Sequence, residues 1–408
     1  MRVCFVSRRF FPAISGMSIY AINLLRQLVA RGHDVTMINQ FRGDAFGKGV
    51  YGGGPPPEVD GVRVIGLEQL GEQEANAGGS ADFERDIVVI VSTIEAEHAA
   101  RPFDILHAQY GYPTGWAALV AGQQLGIPVV VSIQGGDGHW VGSCCETHRE
   151  AMIRVLDHAD AVLIGGESFA QEVHDRLGTT MQRFTYVPGA VDTSRFTPGT
   201  LGADDSVRIL YHGRVDRRKG VLDFIEACGR LRGDWRATIS GIGPDLEAAK
   251  ALVADKSLND RIVFTGYADY ADVPQIYREH HLFASPTYAE GFSNTILEAM
   301  ASGLAIVSCH AVGVSDCLRD GENGLLVEPG DIAAQAEALQ RLIDDRGERQ
   351  RLADAGLAEC RATYSWDVVG AMIADIYASL EGSGGPHAFE PDLPHDPDCR
   401  FRKEPHLL

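Results

Sequence analysis

The sequence predicts an α/β protein of two to three domains built on buried strands. Strand-length apolar runs alternate with stretches of helical spacing along most of the chain, the rhythm of βα units. At 408 residues the chain is long enough for each domain to bury a proper core. Apolar content of 45% and charged content of 23% are those of an ordinary soluble globular protein. The longest apolar runs, such as 87–91 and 127–132, fall far short of the ~20 residues that span a bilayer.

Residues 2–6 read as a first buried strand rather than as a signal peptide, because no long apolar region follows. Residues 17–30 carry apolar side chains at helical spacing, Gly32 stops that helix, and 34–38 form a second strand. The loop 12–18 then lies at the C-terminal end of the first strand, where open α/β sheets bind ligands. Arg8 and Arg9 share that end, and their charge is expected to face an anionic ligand. Residues 42–82 are rich in Gly, Pro and acidic side chains and read as mobile loops around one strand, 62–67. A helix over 83–100, strands over 104–109 and 129–133, a strand over 161–165 and a helix over 168–177 follow. The strand at 129–133 ends in Gln134-Gly-Gly-Asp-Gly-His-Trp140.

The eight cysteines are scattered, as in a reduced, cytosolic protein. Cys144, Cys145 and His148, with His139, have the residue types of a metal site. Adjacent cysteines are poor partners for one tetrahedral ion, however, and no second Cys/His pair follows at finger spacing, so two plain thiols are expected and no metal.

After a linker at 193–206, marked by Pro198, Gly199 and Gly202, strands are expected at 208–213, at 237–243 with its glycine turn, at 262–267, at 281–286 and at 305–308. Gly241-Ile-Gly243 lacks the third glycine of a dinucleotide fingerprint. Between the last two strands lies Tyr288-Ala-Glu-Gly-Phe-Ser-Asn-Thr-Ile-Leu-Glu-Ala-Met-Ala-Ser-Gly303, a loop leading into a helix over 295–301 with Ser293 or Asn294 as cap and Gly303 as stop. Free N–H groups and the positive helix end suit a phosphate. Glu290 and Glu298 repel one and suit vicinal hydroxyls instead, since a carboxylate accepts two hydrogen bonds. Together they describe a sugar-nucleotide site. Helices at 331–343 and 366–380 follow, and from Glu381 the tail lacks pattern and is expected to be disordered or to lie along the surface.

Glu290 and Glu298, with seven residues between them, resemble the E-x7-E motif of the retaining glycosyltransferases of family four. Tyr211-His-Gly-Arg-Val-Asp-Arg-Arg-Lys-Gly220 resembles that family's diphosphate-binding segment, and Gly321 to Asp331 its turn and strand after the site. These segments cover most of residues 205–365. The resemblance implies the B-type architecture, two Rossmann-like β/α/β domains facing across a cleft, with a C-terminal helix crossing back to the first. The domains would be an acceptor domain over 1–192 with the helix at about 366–381 packed on it, a linker over 193–206, a nucleotide-sugar domain over 207–365 and a tail over 382–408.

It further implies a metal-independent transfer of a sugar from a nucleoside diphosphate, with retention of anomeric configuration. Arg214 and Lys219 would neutralise the leaving diphosphate, in the segment that includes Gly213, while the adjacent Arg217 and Arg218 read as a solvated basic turn. Glu290, with Gly291 and the amides from Phe292 through Ser293 and Asn294 to Thr295, would hold the donor sugar. Glu298 would hold the ribose, backbone near Tyr267 the base, and Gly16 would let the first loop approach the diphosphate. On the acceptor side stand His107, read equally as a ligand group or a structural histidine, with Gln134, Asp137 and His139. Gln134 replaces a histidine common in the family; it can hydrogen-bond a sugar hydroxyl but cannot shuttle a proton.

A net charge of −20 argues against nucleic acid and anionic membranes as partners. The expected partners are a UDP- or GDP-linked sugar and a soluble acceptor in the cytoplasm, with no cofactor; oligomeric state is left open, a dimer among the options. Transfer to a lipid-linked or polysaccharide acceptor, a phosphorylase or epimerase of the same fold, and a non-catalytic sugar-nucleotide sensor are the alternatives.

Overall fold

The computed structural model describes residues 1–135, 141–202 and 206–405. The chain divides into two compact units, Met1–Pro188 with Val369–Leu408, and Gly189–Val368. The first unit is built on a seven-stranded parallel sheet. Its strands are β1 (Arg2–Arg8), β2 (Asp34–Phe41), β3 (Val62–Glu68), β4 (Ile105–Gln109), β5 (Val129–Ile133), β6 (Ala161–Ile164) and β7 (Phe184–Tyr186), in the order β3-β2-β1-β4-β5-β6-β7. The second unit holds six, β8 (Val207–His212), β9 (Trp235–Ser240), β10 (Ile262–Gly266), β11 (Leu282–Ser285), β12 (Ala305–Cys309) and β13 (Leu325–Val327), in the order β10-β9-β8-β11-β12-β13. Every pairing within these sheets is parallel.

Strands covered on both faces read as unbroken apolar runs, which is why β1, β5 and β12 are buried at every position. The edge strands β3 and β10 mix partly buried and exposed residues instead, apart from buried Ile262 at the start of β10. In the second unit Ile209, Ile239, Ala284 and Val307 feed one core, and Leu210, Phe283 and Ile306 feed the core on the opposite face, as the period-two alternation of side chains requires. Each sheet reverses its winding once, between β1 and β4 and between β8 and β11. Ligands of open α/β sheets bind outside the carboxyl ends of the strands at such a point.

Three expectations change. Residues 42–82 are not loose loops around one strand. A helix, Ala45–Tyr51, runs between an Asp44 cap and left-handed Gly52, and Arg42 and Glu72 are fully buried. The expected linker belongs to the second unit over residues 193–202, with Phe196 in the core, and so do residues 189–192, expected in the first domain, where Val191 bridges to Ser365. The tail is anchored as well. It ends in a short helix, Arg400–Lys403, with Cys399, Phe401 and Arg402 buried in the first unit. From Val369 onward the helix Trp366–Leu380 also belongs to that unit, where Tyr377 is buried against His107.

Candidate active site

In the second unit, the loops leaving β8 and β11 bring Arg214, Lys219 and Glu290 into one place. The Tyr211 hydroxyl at the end of β8 donates to the Arg214 carbonyl at 2.9 Å and shapes the loop from below. Asp216 caps the short turn Arg217–Lys219 and pairs with Arg218 at 2.7 Å, with Arg214 at 3.5 Å. Hydrogen bonding from Arg218, with the charges around it, holds its carboxyl down to about 2. Arg217 binds Asp245 at 2.6 Å. Arg217 and Arg218 are therefore not an idle solvated turn; they fasten the loop that presents Arg214, which is 62% exposed. Lys219 reaches across to Glu290 at 2.7 Å and to the Ala289 carbonyl at 3.2 Å.

The backbone of Glu290 is fixed from the other side. Its N–H donates to the Val312 carbonyl at 2.9 Å, and a Cβ on Gly313, at φ +73°, would stand 2.4 Å from the Glu290 carbonyl oxygen. The helix Asn294–Ala301 then begins at Ser293, whose hydroxyl meets that of Thr295 at 3.2 Å instead of capping an amide. Its positive end thus stands next to the Glu290 loop in sequence, with no side-chain cap from Ser293. Glu298, on the same helix, is only 6% exposed and accepts from the Tyr277 hydroxyl at 2.9 Å. Burial pushes its carboxyl up to about 7, against the Tyr277 hydrogen bond and the charge of Arg195. Tyr267 follows β10 and is half exposed.

In the first unit, hydrogen bonds link the ends of β4 and β5 to the helix Gly16–Ala30 that follows β1. Gln109 donates from Nε2 to the Met17 carbonyl at 3.0 Å and to Oε1 of Gln134 at 2.8 Å. That helix starts at Gly16, which is exposed, behind a capping box between Ser15 and Ser18. Two non-glycine residues with positive φ mark the ends of the strands at the reversal, Arg9 (67°) after β1 and Tyr110 (81°) after β4. Backbone strain of this kind concentrates where a fold holds ligands.

Two family models match this chain in tandem: the Glycosyl transferase 4-like domain over residues 15–190, and Glycosyl transferases group 1 over residues 206–345. The chain is a glycosyltransferase of this type. It is 25% identical over 404 residues to a D-inositol 3-phosphate glycosyltransferase of Xylanimonas cellulosilytica, covering 89% of this chain and 91% of that one. A glycogen synthase of Mycobacterium tuberculosis is 24% identical over 427 residues, covering 97% and 98%. Among solved structures, a sucrose-phosphate synthase from Thermosynechococcus elongatus superposes with a TM-score of 0.76 at 23% identity, covering 94% of this chain and 99% of that one. HepE of Anabaena, solved in complex with UDP, gives 0.75 at 17% identity, with coverage of 93% and 100%. These likenesses confirm two Rossmann-like domains of the B type.

In the glycosyltransferase, Gly213, Arg214, Lys219, Glu290 and Glu298 all belong to the C-terminal side of β8 and β11, and Gly16 and Gln134 to that of β1 and β5. Asp137 and His139 lie outside the described residues. His107 takes the structural role of its two readings. It is fully buried, with Nδ1 on the Tyr377 hydroxyl and Nε2 on the Ser132 hydroxyl, so neither ring nitrogen is left for a ligand. Arg8 does not face a ligand either: it is buried and ion-paired to Glu72 at 2.6 Å. Sequence reasoning missed Gln109, Tyr277 and Gly313. Only the last left a signal, a glycine just beyond the end of β12.

Proposed function

We propose that this glycosyltransferase moves a sugar from a nucleoside-diphosphate sugar to a soluble acceptor, with retention and without a divalent metal. The observation that carries the reading is the Lys219–Glu290 pair at 2.7 Å beside exposed Arg214, next to a helix N-terminus without a side-chain cap. Two fixed cations and helix amides suit a diphosphate whose charge grows as its bond to the sugar breaks. They supply what a metal ion otherwise would. Glu290 and Glu298 bracket that position with carboxylates suited to the hydroxyls of sugar and ribose.

In the proposed step the bond from the anomeric carbon to the phosphate oxygen breaks and the acceptor oxygen forms its bond on the same face. The acceptor proton passes to the departing phosphate, so no side-chain base is required; Gln134, with Oε1 held by Gln109, orients a hydroxyl rather than moving a proton. That HepE is solved with UDP supports a uridine nucleotide as the first donor to try. The test is a panel of UDP-, GDP-, ADP- and dTDP-sugars, with and without acceptors and chelator, following nucleoside diphosphate release and the anomeric configuration of the product by NMR. Chelator-resistant release with a retained product is expected. An inverted product, or release that depends on a divalent cation, would overturn the reading.

A further inference from the structure

Cys144, Cys145, His148 and Cys399 bring one ligand atom each to a single point in the first unit, all within 4.8 Å of one another. We propose that this cluster is a structural zinc site that clips the C-terminal tail to the acceptor domain. The cluster is independent of the transfer mechanism argued above.

Adjacent cysteines alone are a poor site, and the sequence offers no second pair nearby. The fold supplies it. Cys145 stands at the N-terminus of the helix Glu146–His158, His148 lies one turn in, and Cys399 arrives from the tail. The distances are those of coordination geometry. Four ligands around zinc at ~2.3 Å for sulfur and ~2.0–2.1 Å for nitrogen give tetrahedral edges of about 3.8 Å between sulfurs and about 3.6 Å from sulfur to nitrogen. Here Cys144 and Cys145 sulfurs are 3.8 Å apart, Cys144 and Cys399 3.9 Å, and Cys399 lies 3.6 Å from Nδ1 of His148. A fourth separation, Cys144 to Nδ1, is tighter at 2.8 Å and would have to open on metal binding, and all six lie within 4.8 Å. Sulfurs at these separations are nowhere near the ~2.05 Å of a disulfide, and none of the eight cysteines is disulfide-bonded among the described residues.

Three thiolates and an imidazole are the ligand set of closed zinc sites, which leave no position open for substrate. The environment is built around the cluster. His148 and Cys399 are fully buried, and the His148 ring packs on Tyr112, Phe83 and Phe401. The tail beside it is held in register: the Thr147 hydroxyl donates to the Pro394 carbonyl at 2.6 Å and accepts from the Asp396 N–H at 2.9 Å. An acidic, Pro-rich tail with little regular structure gains a fixed course from such a clip.

The test is metal analysis of the full chain, purified without chelator and without a metal-affinity tag. About one zinc per chain is expected, falling to background in Cys399→Ser. Because that variant can fail for other reasons, the unmodified chain is also refilled with cobalt(II), which should show the thiolate charge-transfer absorption of a tetrahedral site. Chelation should make the tail cleavable by protease. Background metal with no cobalt spectrum, a metal other than zinc, or a disulfide between Cys399 and Cys144 or Cys145 in a non-reducing peptide map would each overturn the proposal.

Discussion

Arg214 and Lys219 differ in what they hold before substrate arrives, and their variants should differ accordingly. Among the described residues the Arg214 side chain pairs with Asp216 at 3.5 Å, so Arg214→Ala chiefly removes charge. Lys219→Ala also releases Glu290 from a 2.7 Å pair and adds a loose carboxylate to the proposed phosphate site. A charge-assisted hydrogen bond contributes ~1.5–3 kcal/mol, so each variant should lose on the order of one to two decades in kcat/KM, Lys219→Ala the more. Steady-state release of nucleoside diphosphate measures this, and equal, small losses would remove both from the phosphate. Glu298 gives a pH signature. Its carboxyl, pushed up to about 7 by burial, is half protonated near neutrality. Hydroxyl groups bind the carboxylate better than the acid, so donor affinity should rise with pH through about 7 and binding should release a proton. Calorimetry in buffers of different ionisation heat reads both, and Glu298→Gln should weaken binding and flatten the profile. The residues legible in the sequence are those grouped in short stretches of chain, Glu290 and Glu298 in one loop and helix and Arg214 and Lys219 in one turn. Tyr277 and Gln109 were not, because each acts through a side chain 21 or 25 residues away that only the fold brings near.

At the scale of elements, the loops after β8 and β11 are one structure. Gly220, at φ +71°, has the carbonyl oxygen of Pro286 2.0 Å from where a Cβ would stand. Gly220→Ala must therefore push the loop carrying Lys219 off the loop carrying Glu290, besides straining the backbone by about 1–3 kcal/mol. Donor affinity should fall at least as far as in Lys219→Ala, while the circular dichroism of the sheets is kept. A variant that binds donor normally would mean the two loops act separately. Elements with strong apolar period and a clear stop were legible, such as β1, β5 and the helix over 83–100. The stretch 42–82 was not, because its order comes from ion pairs rather than apolar pattern. Glu72, wholly buried, is bound by Arg8 at 2.6 Å and Arg42 at 3.4 Å, so Gly- and Pro-rich chain is tied to the end of β1. The same holds for the tail, whose composition reads as disorder until Arg402 and Cys399 are seen inside the first unit.

For the whole molecule, buried titratable groups in both units set the acid limit together. Burial lowers His107 from 6.5 to about 3 and His212 from 6.5 to about 4. Their unfolded forms take up protons below 6.5 while the folded forms do not, which removes stability as pH falls. Burial raises Asp86 from 3.8 to about 6 and Glu298 from 4.5 to about 7. Folded chains hold these protons where unfolded chains have lost them, which adds stability as pH falls. His33 and His280 add to the first group and Asp160 to the second, by burial in each case. Between about pH 4.5 and 6 the two groups nearly cancel, since stability follows the difference in bound protons. Below about 4 the unfolded chain takes up the protons of the raised carboxyls as well, and their counterweight fades. His107 still resists its proton. So do Glu72, where the charges of Arg8, Arg9 and Arg42 outweigh the upward push of burial, and Asp216, held at about 2 by Arg218. Each such group separates the two states by up to one proton, about 1.4 kcal/mol per pH unit. The thermal midpoint should stay nearly level from pH 6 to 4.5 and fall steeply below 4. Glu298→Gln removes one counterweight, so its midpoint should already decline between 6 and 4.5. A wild-type midpoint that slides steadily across that interval, with no added slope in the variant, would show that the two groups do not offset.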